Sequence, residues 1–127
     1  MNPLYPQPKS VEAAERGGET ELRFFEAMQC PFWKKPFWLL SVRHATRAED
    51  NLGVDAIVLT DVGVIEVQIK TSHAGRLAHI ARYGREHVIT VISPFMSASR
   101  IRHTVTDILY QRRGRLHSQL KRATSQK

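Results

Sequence analysis

The chain has 127 residues, 42% of them hydrophobic and 24% charged, a composition that fills one compact domain and excludes both a disordered chain and a stapled mini-protein. Its one cysteine, Cys30, can neither close a bridge within the chain nor assemble a thiolate zinc site. Nineteen Lys and Arg against twelve Asp and Glu give a net charge of +7, which points to a polyanionic partner. No apolar run approaches the roughly 18 residues that span a bilayer, and the start lacks the charged-then-apolar plan of a secretory signal, so the expectation is a soluble, cytoplasmic protein with no membrane partner.

In chain order, residues 1–9 carry Pro3, Pro6 and Pro8 and read as an extended arm. Helical composition begins at Ser10, is interrupted by Gly17 and Gly18, and resumes from Glu19 to Gln29 with Leu22, Phe24, Phe25 and Met28 on a core-facing stripe. Pro31 stops it. Trp33 and Trp38 read as core or interface residues before base-stacking ones. Trp38 to His44 predicts a strand, Ala45 to Gly53 a polar loop, and Val54–Thr60 and Val64–Lys70 a hairpin about Asp61, Val62 and Gly63. A helix follows from Ser72 to Tyr83, with Ser72 as its cap and Leu77, Ile80 and Ala81 inward. His87 to Ser93 reads as a buried strand, and a long helix from about Ser97 to Arg122 carries Ile101, Val105, Ile108, Leu109, Leu116 and Leu120 at helical spacing. A helix between two strands implies a parallel crossover. The expected fold is thus α/β, a mixed sheet of about four strands flanked by helices, in one domain over residues 1–127.

The charge is unevenly placed. Residues 1–70 hold 8 basic and 10 acidic side chains, whereas residues 71–127 hold 11 basic and 2 acidic, nine of the basic ones arginine. Arginine suits phosphate. Arg76, Arg82, Arg112, Arg113 and Arg115 are the candidates for nucleic-acid contact, and binding through them should weaken steeply with salt.

The hairpin carries the chemistry. Side chains alternate along a strand, so Glu66, Gln68 and Lys70 share one face, opposite Ile65, Val67 and Ile69. One strand earlier Asp55 interrupts an apolar run, where an ionised carboxylate is costly unless something such as a bound cation compensates it. A turn at Val62 and Gly63 would set Asp55 opposite Lys70 and on the Gln68 face. A three-residue turn would set it opposite Ile69 and point it away.

Asp55 followed by a hairpin and then Gln68-Ile69-Lys70 resembles the bipartite motif of the PD-(D/E)xK nuclease superfamily, which includes restriction endonucleases and Holliday-junction resolvases. The order helix, three strands, helix, strand resembles that family's core over residues 19–93, with the basic helix 97–122 appended. Val54 stands where the family often has proline, and Gln68 where it usually has Asp or Glu. The family often adds an acid from the first helix; Glu21 is that position here, because it shares a face with Phe24, Phe25 and Met28 while Glu19 falls on the polar side.

The resemblance implies a restriction-endonuclease-like fold and metal-dependent hydrolysis of DNA phosphodiester bonds, on duplex or branched DNA. Asp55, the side-chain oxygen of Gln68 or Glu66, and the backbone carbonyl of Ile69 would hold Mg²⁺ or Mn²⁺. Lys70 would orient the attacking water or offset charge on the phosphorane, and Glu21 would hold a second ion or activate the water. A domain this small would cut both strands as a homodimer. The reading from a different class is a nuclease-fold module that binds nucleic acid or a partner without turnover, with Gln68 as its mark; product formation with Mg²⁺ separates the two.

Overall fold

A computed structural model describes residues 11–125, with side chains described from Gly18 to Thr124; the arm expected over residues 1–9 lies outside them. The elements run α1 (Val11–Met28), β1 (Leu39–His44), α2 (Arg47–Asn51), β2 (Ala56–Thr60), β3 (Gly63–Lys70), α3 (His73–Tyr83), β4 (Val88–Val91) and α4 (Ala98–Ser125). The four strands form one sheet in the order β1-β2-β3-β4. The first three are antiparallel neighbours, and β4 lies parallel to β3 after the α3 crossover. The protein is therefore α/β with a mixed four-stranded sheet, flanking helices and a long C-terminal helix. None of the described helices is long and apolar enough to cross a membrane.

Alternation along the strands builds one apolar face. Ala56 and Val58 of β2, Ile65, Val67 and Ile69 of β3, and Val88 of β4 are buried together with Phe24, Phe25, Ala27 and Met28 of α1 and Ile101, Val105 and Leu109 of α4. Each of the Val, Leu, Ile, Phe and Met side chains among them contributes roughly 1.5–3 kcal/mol by leaving water. Trp38 is buried in this core and Trp33 packs against it, as their size predicts. On the other face, α3 crosses β3 and β4 with Gly75 against the Lys70 methylenes, where an added Cβ would sit 3.6 Å from Lys70 Cδ.

Three local expectations are corrected. Helix α1 runs unbroken through Gly17 and Gly18: a glycine costs about 1 kcal/mol relative to alanine but permits helical angles, so a pair weakens a helix without breaking one anchored by Phe24, Phe25 and Met28. The stretch expected as a polar loop contains α2, closed by a capping box in which Thr46 accepts from the Glu49 N–H and Glu49 accepts from the Thr46 N–H. Arg43 grips the same carboxylate at 2.9 and 3.1 Å, and these bonds hold Glu49 down at a pKa of about 2. In α3, Leu77 and Ala81 face solvent and Ile80 is only half-buried, while His79 is the buried residue. Ser72 does cap the helix, accepting from the Gly75 N–H at 3.1 Å.

The hairpin register also differs from the favoured one. Thr60 pairs with Gly63 and Ala56 with Val67, so the two turn residues are Asp61 and Val62. One further step puts Asp55 level with Gln68, two residues short of Lys70. The positive φ of 142° falls on Gly63, and the Thr60 hydroxyl closes the turn by donating to the Gly63 carbonyl at 2.7 Å. Because the shift is by two, the face assignment is preserved: Asp55 lies with Glu66, Gln68 and Lys70.

Candidate active site

Where β2 begins and β3 ends, the sheet opens into a crevice of about 710 Å³, lined by Glu21 from α1, Asp55, Gln68, Ile69 and Lys70 from the hairpin, and His79 and Arg82 from α3. Five of the residues singled out from the sequence for catalysis or metal binding thus converge, from α1 and both hairpin strands. Glu66 does not line this crevice: it stands opposite Ile57 in solvent, because α3 covers that face of β3 only from Gln68 onward.

Asp55 is fixed by the point at which the ladder ends. Its N–H donates to the Val67 carbonyl at 2.8 Å, and its Oδ2 accepts the Ile69 N–H at 2.8 Å. The carboxylate therefore stands in for a backbone acceptor that β2 no longer supplies. Since a strand residue's N–H and C=O point the same way, the Ile69 carbonyl also faces the side on which β2 stops, the side of the crevice. Gln68 is 93% buried by its 7% exposure, and its Oε1 has no hydrogen-bond partner. A buried acceptor left unmade costs roughly 1–3 kcal/mol.

These donors fit a hard cation. Asp55 and Glu21 carboxylates, an unsatisfied amide oxygen and a peptide carbonyl are all oxygen ligands, and Mg²⁺ takes few of them while keeping several waters. No three His, Cys, Asp or Glu side chains gather as a ligand set among the described residues.

Arg76, His79 and Arg82 recur every three residues along α3, and helical geometry divides them. Gly75, His79 and Tyr83, at four-residue spacing, turn to the crevice with Ala78 and Arg82, whereas Arg76 and Ile80 turn to a different cavity near α4. Arg112 and Arg115 line that second cavity. Arg113 is engaged elsewhere, pairing with Asp61 of the hairpin turn at 2.7 and 2.8 Å and lying 5.8 Å from the Trp38 ring centroid. That pair raises the Arg113 pKa and lowers that of Asp61.

His79 is the crevice residue that the sequence does not single out for catalysis or metal binding. Its ring lies 4.7 Å from that of Tyr83 and its Nε2 is 3.2 Å from Nδ1 of His87. Burial, the nearby Lys70 ammonium and His87 all lower its pKa below the ordinary 6.5. The folded state thus binds this proton more weakly than the unfolded chain, and stability present above pH 6.5 is lost as pH falls from 6.5 toward the folded value. The His79 ring resonance should titrate below 6.5; a midpoint at or above the free value would contradict this packing.

Gly53 lets α2 turn into β2 beneath those rings. Its φ is +85°, and a Cβ there would meet His79 Cε1 at 3.0 Å and Tyr83 Cδ2 and Cε2 at 3.1 Å. Gly53→Ala should destabilise the fold by about 1–2 kcal/mol through φ alone, and more through crowding. An unchanged urea midpoint would refute it. Comparison of the chain with protein-family models, curated proteins and solved structures finds no match.

Proposed function

We propose that the protein is a metal-dependent nuclease that hydrolyses DNA phosphodiester bonds, with a fold and motif of the PD-(D/E)xK kind. The observation that carries this reading is the buried, unpartnered Gln68 Oε1 in the same crevice as Asp55, Glu21 and Lys70. The element order supports it, since only the short α2 interrupts the sequence helix, three strands, helix, strand.

A divalent cation bound there would polarise the phosphate and lower the pKa of a water. Asp55, Gln68 and the Ile69 carbonyl are the residues that would hold it, and Glu21 the group that would take a proton from the water or carry a second ion. Lys70 opposes negative charge as it builds on the phosphate, in a site whose walls limit solvent screening. Arg82, at the rim, receives the backbone of the strand.

The second reading, a nuclease-fold module without turnover, draws on Gln68 itself, which leaves the crevice with two lining carboxylates from this motif, Glu21 and Asp55. The test is product formation: purified protein with duplex and branched DNA should cleave with Mg²⁺ or Mn²⁺ and stop in excess chelator. DNA binding without products in either metal would favour the second reading, and products undiminished by chelator would refute the first.

A further inference from the structure

On the far side of α3 from the crevice, a second cavity of about 290 Å³ opens between α3, the start of β4 and α4. Its walls gather Arg76 from α3, Arg85 and His87 from the approach to β4, and Arg112 and Arg115 from α4, over an aliphatic floor that includes Ile108. No carboxylate lines it. Arg43 pairs with Glu49, His103 with Asp107 and Arg113 with Asp61, and none of these ion pairs involves the four guanidinium groups of the cavity. Arg112 is held in place by the Glu86 carbonyl. Burial and the neighbouring Arg115 make its charge harder to keep. Like charges drawn into one concave site from three separate elements repel, and the arrangement is relieved by an anion that all of them can reach.

We propose that Arg76, Arg85, Arg112 and Arg115 form a phosphate-binding pocket, separate from the Asp55 crevice. The guanidinium fork matches phosphate oxygens two at a time, and the apolar floor suits the sugar or base attached to the phosphate better than bare sulfate-like ions. The phosphate has two sources, a free nucleotide or a nucleic-acid strand. Because α3 stands between pocket and crevice, this proposal does not rest on cleavage.

Calorimetric titration of the full chain tests it with three probes: inorganic phosphate, AMP, and a short single-stranded oligonucleotide. Saturable phosphate binding is expected in the wild type, weakened by about tenfold or more in Arg76→Gln/Arg115→Gln and kept in Asp55→Asn, since charge-assisted bonds are lost only in the first. In the wild type alone, phosphate should shift the His87 ring resonances, a readout that needs no variant to fold. AMP binding that the oligonucleotide does not displace identifies a free nucleotide as the occupant; displacement identifies the strand. Absent phosphate binding in the wild type, unchanged affinity in a folded double variant, an unmoved His87 signal, or an equal loss in Asp55→Asn would each overturn the pocket.

Discussion

Asp55→Asn is expected to slow Mg²⁺-dependent DNA cleavage by a factor on the order of a hundred or more while the fold persists, because it removes a charge from the site but keeps an oxygen where the Ile69 N–H donates. Alanine is the less informative change. It would orphan that buried N–H, at a cost of roughly 1–3 kcal/mol, and so mix a structural loss with a chemical one. Lys70→Met makes the matching test from the other strand: it preserves the methylenes that lie against Gly75 and removes the ammonium, and it should lose activity to a similar degree. Wild-type rates in folded Asp55→Asn would remove Asp55 from the chemistry and leave it only the closing of the ladder.

The second large effect concerns which residue takes the acidic position. In the observed register Asp55 lies level with Gln68, and Glu66 points to solvent across from Ile57. Gln68→Glu should therefore raise metal affinity, since a carboxylate binds a hard cation better than an amide. Without metal the same variant should be less stable, because it adds a second carboxylate beside Asp55 in a buried place. Added Mg²⁺ should then raise its thermal midpoint more than it raises that of the wild type. Glu66→Gln should leave both metal binding and cleavage close to wild type. A near-inactive Glu66→Gln beside a fully active Gln68→Ala would reverse the assignment.

The strands and the sheet face were legible because their periods are short-range. The alternation in Ile65 to Lys70 sorts its side chains without any tertiary information, whereas the face of Asp55 hung on the turn length: any two-residue turn sets it with Gln68 and Lys70, and the turn is two residues long, Asp61-Val62 rather than Val62-Gly63. The two-residue offset was hidden because a glycine next to a turn reads as part of it, whereas Gly63 carries its positive φ as the first paired residue of β3. Glu21 was also within reach, through its three- and four-residue spacing to Phe24 and Phe25, which are buried. Helix α2 had a signature, Thr46 followed three positions later by Glu49, in a stretch whose charges suggested only a loop.

The faces of α3 were harder. Leu77, Ile80 and Ala81 make the more hydrophobic stripe, yet the helix turns Gly75 and His79 inward, Gly75 over the Lys70 methylenes and the buried His79 ring against Tyr83 and His87. Nor did sequence reveal that Arg76 and Arg82, six residues apart, serve two separate cavities, or that Arg113 is committed to Asp61 across the fold. Those outcomes depend on contacts between residues far apart in the chain.

The central claim, that this crevice holds a hard divalent cation, is tested most directly by titrating Mn²⁺ into the full chain without DNA and following the free ion by electron paramagnetic resonance. The wild type should show a saturable site, and Asp55→Asn and Gln68→Ala should each weaken it by about tenfold or more. No saturable binding in the wild type, or equal affinity in both folded variants, would contradict the account.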